Sequence, residues 1–192
     1  MIPSGESIRV VHPLFQEEGG GSIPTSPLQL YIGRLHYKTA EGLVREWHSR
    51  LPLVAKPETH YPCYGAEFGG RYFAAAMWGL PLAANRLTNG FARLELRRFA
   101  IAPDAPKYTA SRMLSVMTRM LRVEFPLIVG LLSYQDEDAH SGTIYKAAGW
   151  RKAARSVNSS WKRANRPSQQ DRFVQSTSPK IRWELQLNRA KE

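Results

Sequence analysis

The chain has a single cysteine, Cys63, in 192 residues. That excludes an internal disulfide framework and fits a reducing compartment. No apolar run approaches the roughly 18 residues that span a bilayer. The first residues, MIPSGESIRV, lack the basic-then-apolar order of a secretory signal. The expectation is therefore a cytoplasmic protein with no membrane partner. There is no Cys/His metal spacing, no internal repeat, and no helix-turn-helix, zinc-finger or RNA-recognition pattern, so reading of a nucleotide sequence by such a module is unsupported. Acidic residues are scarce. Against 27 Lys and Arg stand 16 Asp and Glu, a net charge of +11. The excess is uneven: residues 151–192 carry 11 and 3, residues 1–150 carry 16 and 13. Such asymmetry favours a polyanion partner through counterion release, against the plainer reading of a solvated basic tail.

The rest is ordinary globular composition, 43% hydrophobic and 22% charged, enough for one domain with an appendage. Residues 1–27 are rich in Gly, Pro and Ser and read as a loose arm, with Ile8, Val10 and Val11 able to add an edge strand. Residues 28–155 read as the domain, and 156–192 as a basic extension packing on it or on DNA. Leu28 to Leu35 reads as a strand. Tyr37 to Leu51 has helical spacing, with Thr39 as cap and Pro52 as stop. Tyr64 to Gly79 reads as a hairpin turning at Gly69-Gly70. Leu94 to Ala102 reads as a strand, and Thr109 to Phe125 as the best helix, ended by Pro126. Leu127 to Leu132 reads as a buried strand, Ser133 to His140 as a polar turn, and Ser141 to Ala148 as a short helix capped by Ser141 and stopped by Gly149. After Trp150 the pattern breaks until a final strand or clasp, IRWELQL. The order predicts an α/β (α+β) fold with a mixed, largely antiparallel sheet flanked by helices.

Residues 127–150, LIVGLLSYQDEDAHSGTIYKAAGW, organise the chemistry. A buried strand ending in polar groups and feeding a helix is where open α/β sheets place ligands. Asp136 is either a proton acceptor or a turn-forming acid. Tyr145 is either a general acid or an amphipathic core residue. His140 either contributes to the site or shapes the turn. His36 stands where the first strand meets the first helix, as a base, a metal ligand or a strand-end histidine in water. His48, after Trp47, is packed or exposed. Arg98 alternates with Leu94 and Leu96 and shares their side unless a bulge intervenes; it needs an anionic partner, either a ligand phosphate or an acid such as Glu95, Asp104 or Asp136. Ser111, in the first turn of the long helix, binds a phosphate or carbonyl, or only steadies the helix. Lys152, Arg155, Trp161, Lys162, Arg163 and Arg166 mix cations with an aromatic and suit phosphate contact with stacking, or form a plain tail.

The element order resembles the GNAT acyltransferase superfamily over residues 28–155, in which a tyrosine at about the place of Tyr145 protonates a leaving thiolate. A narrower resemblance rests on ELRRFAI, TASRML and SYQDEDAHSGTIYKAAGW: these look like the phage Mom-type DNA-modification proteins, GNAT-like proteins that alter adenine to block restriction. The resemblance implies a phage enzyme acting in a bacterial host on double-stranded DNA, placing a carbamoylmethyl-type group on N6 of adenine. It implies catalytic roles for His36, Tyr37, Asp136 and Tyr145. It places Arg98, Ser111, Arg112, Ser133, Tyr134 and His140 against the donor or the base. It also links the family to iron, for which His36 and Asp136 are the possible ligands. One departure is plain. The loop Ala102 to Thr109, APDAPKYT, has no glycine, and two prolines remove donors. Lys107, Ser111, Arg112 and the helix N-terminus remain to hold an anion, so acetyl-CoA and an aminoacyl carrier both stay open as donor. The rivals are an ordinary N-acetyltransferase acting on a protein, tRNA or small amine, and a non-catalytic DNA-binding anti-restriction protein.

Overall fold

The computed structural model describes residues 23–48, 61–81, 92–156 and 178–188. Its strands are β1 (Tyr31–Leu35), β2 (Cys63–Phe68), β3 (Arg71–Gly79), β4 (Arg93–Ile101), β5 (Gly130–Asp136), β6 (Arg151–Arg155) and β7 (Lys180–Gln186). Its helices are α1 (Tyr37–Trp47), α2 (Thr109–Glu124) and α3 (Thr143–Ala147). The strands form one sheet in the order β1-β2-β3-β4-β5-β7-β6. Only β4 and β5 pair in parallel; the other pairs are antiparallel. This is the mixed sheet that the element order implied. Among the described residues no helix is long and apolar enough to cross a membrane.

The helices cover opposite faces. Met113, Leu114, Met117, Met120 and Leu121 recur at helical spacing along α2 and are buried against one face, with Leu94, Leu96, Leu131, Tyr145, Trp150 and Trp183. Glu124 ends α2, where the helix dipole disfavours an acid. Arg34 at 3.1 Å and the Tyr64 hydroxyl, which donates to it at 3.0 Å, offset that and pin the helix to β1 and β2. On the other face α1 buries Ala40 and Val44 over Leu35, Cys63, Ala75, Met77 and Ala100. Burial there pushes the Cys63 thiol up to about 11, so at neutral pH it is a packed thiol and no nucleophile. The β2–β3 turn falls at Gly69 and Gly70 (φ 59° and 80°), a left-handed pair that glycine adopts without strain.

Several boundaries differ from the sequence reading. The stretch read as a strand from Leu28 begins as a 3₁₀ turn, Pro27–Gln29, closed by a Ser26–Gln29 capping box. The cap of α1 is His36, whose Nδ1 accepts from the Lys38 N–H at 3.3 Å, and not Thr39. β5 starts at Gly130, because Leu127 is 80% exposed, and it runs on through Asp136, which is its last residue and not part of a turn beyond it. α3 is entered through Gly142 at φ 73°, not through Ser141. RKAAR, after Trp150, is an edge strand. IRWELQL is inserted between β5 and β6, so the boundary expected at residue 155 cuts between two strands of one sheet. The edge strand expected around Val10 and the stop at Pro52 lie outside the described residues.

Candidate active site

The site is built by a failure of pairing. β4 and β5 run side by side for four residue pairs, from Arg93↔Gly130 to Leu96↔Ser133. Beyond that, β4 continues to Ile101 on β3 alone, and β5 to Asp136 on β7 alone. The two strands thus part from Arg97 and Tyr134 onward. A bulge opens the gap further. Met77 pairs Arg98 and Trp78 pairs Leu96, which leaves Arg97 as the extra residue. Arg97 is held by the Leu80 carbonyl at 2.9 Å and by Glu95.

That bulge decides where Arg98 points. Strict alternation would set it beside Leu94 and Leu96. With one residue inserted it shares the side of its partner Met77, the α1 face. There it is half-buried and donates from Nη1 to the Arg97 carbonyl at 2.7 Å. Burial and then Arg97 lower its pKa, while Glu95 opposes them; an arginine nevertheless remains a cation. His48, the C-cap of α1, lies within electrostatic reach of Arg98 and of His140. Burial first, then Arg98 and then His140, hold the His48 pKa below the ordinary histidine value. Two elements distant in sequence thus bring the His48 imidazole within electrostatic reach of the fixed Arg98 cation.

β5 supplies both faces in alternation. Leu131, Ser133 and Gln135 point to the α2 side, and Tyr134 and Asp136 to the α1 side with Arg98. Asp136 Oδ1 accepts from the Ser178 hydroxyl at 2.6 Å and from the Asp138 N–H at 3.1 Å. It therefore shapes the turn as well as facing the site. Ser133, the last residue of β5 paired to β4, hydrogen-bonds the Tyr145 hydroxyl at 2.8 Å. Tyr145 stacks on Trp183 at 5.3 Å and meets Trp150 edge-on. Burial raises its pKa against the Ser133 hydrogen bond, so it is a neutral phenol at the vertex of the gap. The Gln135 side chain receives the Trp183 indole N–H at 2.6 Å and donates to the His140 carbonyl, which fixes the loop into α3.

Other predicted residues lie elsewhere. His36 is exposed, and His36 and Tyr37 follow the edge strand β1. Three strands separate β1 from β5, so at about 4.8 Å per step His36 and Asp136 stand on the order of 19 Å apart. They cannot share one ion, whose ligands sit at about 2 Å. Among the described residues no group of three or more His, Cys, Asp or Glu is placed to hold a metal. The Tyr37 hydroxyl is buried with no hydrogen-bond partner. Burial is the main cause that raises its pKa, followed by Glu41 and Cys63. At the start of α2, Ser111 donates to the Tyr108 carbonyl at 3.1 Å, and Arg112 reaches the Leu30 carbonyl at 3.0 Å; both hold the helix in place. Its N-cap, Tyr108, has φ 68° and gives no side-chain cap. Lys152 is exposed on β6, and Arg155 pairs Glu137 at 2.6 Å. Trp161, Lys162, Arg163 and Arg166 lie outside the described residues.

The family model of the Mom proteins matches residues 29–191. The chain belongs to the Mom protein family. No curated protein matches this Mom-family chain in sequence. Its fold is that of acetyltransferases. The ribosomal-protein-S18-alanine N-acetyltransferase from Escherichia coli superposes with a TM-score of 0.58 at 16% identity, over 84% of this chain and 96% of that one. The ribosomal-protein-S5-alanine acetyltransferase from Vibrio fischeri gives 0.59 at 9%, over 85% and 96%. A GNAT family acetyltransferase from Elizabethkingia anophelis with acetyl-CoA bound gives 0.53 at 14%, over 95% and 100%. At such identities the likeness concerns the fold. Of the residues at the gap in this Mom-family chain, His48 was weighed from the sequence but given no role there. Nothing local marks it, since its partners come from β4 and from the β5–α3 loop.

Proposed function

We propose that the chain is a transferase that places an acyl-derived group, of carbamoylmethyl type, on N6 of adenine in DNA, and so protects phage DNA from restriction. Membership of the Mom protein family over residues 29–191 carries this reading. The gap between β4 and β5 is where the chemistry would occur. An adenine would be extruded from the duplex to reach it, since N6 is inaccessible to attack within the stack. The amine is a poor nucleophile because its lone pair is shared with the ring, so proton removal during attack is needed. His48, kept neutral, is the proposed base, and Asp136 on the same face accepts from the amino group and orients it. Arg98 offers fixed positive charge to an anionic or carbonyl oxygen of the donor and holds it against the amine. Tyr145, tuned by Ser133, returns a proton to the leaving group. His36 and Tyr37, on the β1 side of α1, would act on a substrate that extends across that face.

The donor is proposed to be an activated acyl carrier. Acetyl-CoA is bound by a structural neighbour. In this chain Lys107 and the first turn of α2 are the groups that would meet an anionic carrier, without the help of a glycine loop. Tyr145→Phe is expected to lower transfer by about 10²-fold or more, while stability falls only by about 1 kcal/mol for the lost Ser133 hydrogen bond. Quantifying modified base against thermal unfolding checks this. The reading as a whole is tested by restriction. Plasmid from cells expressing the wild-type chain should resist endonucleases whose sites contain adenine, and plasmid from Arg98→Gln cells should be cut. Complete cutting in both, together with tight acetyl-CoA binding, would instead select N-acetylation of a protein, tRNA or small amine.

A further inference from the structure

We infer that the sheet face carrying Arg93, Arg151 and Arg182 is a phosphate-contact platform for the DNA backbone. This rests on DNA being the substrate and adds where the duplex is gripped. β7 alternates cleanly: Ile181, Trp183 and Leu185 face the core on the α2 side. Lys180, Arg182, Glu184 and Gln186 therefore face the other side. Glu184 pairs Leu132 across to β5, and Leu132 pairs Glu95 on β4, so this is the face that carries Arg98. Three guanidinium groups converge on the one carboxylate of Glu184: Arg182 at 2.8 Å, Arg151 at 3.2 Å and Arg93 at 3.9 Å.

The charge does not close. One carboxylate against three arginines leaves two positive charges in excess. The side chains of Glu184 and Arg182 are only 14% and 16% exposed, so an anion held against Arg182 gains more than at an open surface, while Arg151, at 76%, stands in water. Arg182 also keeps a buried Nε–H that is not aligned on any acceptor, despite its ion-pair contact. Arg93, Arg151 and Glu184 line a pocket of about 50 Å³ with Gly130 and Gln186. All three guanidinium groups lie within 3.9 Å of the one carboxylate, so they form a single cluster able to meet one phosphate or two neighbouring ones. Lys180, opposite Asp136, continues the line toward the gap. A guanidinium fork fits phosphodiester oxygens and needs no base sequence.

The test is the salt dependence of binding of a labelled DNA duplex by the full chain. Each phosphate contact contributes about 0.9 to the slope of log K against log salt. Arg93→Gln/Arg151→Gln should flatten the slope by about 1.8, while Arg119→Gln, exposed on α2, should leave it unchanged. Arg151 is 76% exposed, so Arg151→Gln alone repeats the test without endangering the fold, at a change of about 0.9. A cluster that only braces the sheet would lower thermal stability and leave the slope alone; that result overturns the platform. If restriction protection persists in those same variants, the proposed function survives its loss. A wild-type chain whose DNA binding is absent or insensitive to salt overturns the platform as well, and fully cut plasmid from the same cells would take the DNA reading with it.

Discussion

His48→Gln is expected to lower transfer to DNA by about 10² to 10⁴-fold, the usual contribution of a positioned general base, with little change in thermal stability. Glutamine keeps the size and one acceptor but cannot take the proton. The observable is the fraction of modified deoxyadenosine in plasmid from expressing cells. A companion measurement separates this role from a structural one. Because burial, Arg98 and His140 hold the imidazole below its ordinary value, its ring protons should titrate below pH 6.5 in NMR spectra. Arg98→Gln removes a repelling cation, so that titration should move back up. The sign carries over to stability. Between the lowered folded value and about 6.5 the unfolded chain binds a proton that the folded chain refuses, so this group makes acid destabilising. A His48 that titrates above 6.5, or that is replaced without loss of modification, removes it from the mechanism.

Gly142→Ala should be the most damaging conservative substitution in the described structure. A Cβ there would stand 2.4 Å from Gln135 Oε1 and 2.5 Å from the Trp183 ring. The residue also holds φ at +73°. Overpacking of this kind costs about 1 to 3 kcal/mol, and the left-handed backbone adds about 1 to 2 kcal/mol for a residue with a side chain. The strain falls on one connected network. Gln135 receives the Trp183 indole N–H, Trp183 stacks on Tyr145, and Tyr145 bonds Ser133. Thermal unfolding should therefore show a large loss of stability, and modification should fall with it even below the new midpoint. By contrast, a Cβ at Gly149 meets nothing within 4 Å. Gly149→Ala should cost only its own positive-φ strain and leave transfer intact.

These residues also show what the sequence could and could not disclose. α2 was legible because its apolar spacing is long and ended by Pro126, and the β2–β3 hairpin because two glycines mark the turn. β6 was not. RKAAR is an edge strand with an exposed charged surface, and its pairing partner arrives some thirty residues later. The place of β7 between β5 and β6 is a tertiary choice that local periodicity does not encode. The bulge at Arg97 carries no glycine and no other local sign, yet it turns Arg98 to the α1 face, within electrostatic reach of His48. Alternation alone would have buried Arg98 on the α2 side. Asp136 and Tyr145 were visible as candidates because they sit in one distinctive run. Their split between two faces of β5 became clear only from the register with β7 and the hydrogen bond to Ser133.

The most direct test of the central claim is nucleoside mass spectrometry of plasmid DNA from cells expressing the wild-type chain, and from cells expressing Asp136→Ala. A heavier deoxyadenosine found only with the wild type is the predicted result, and its added mass identifies the transferred group. Ordinary deoxyadenosine in both samples, with the protein folded and abundant, would contradict DNA modification at this site.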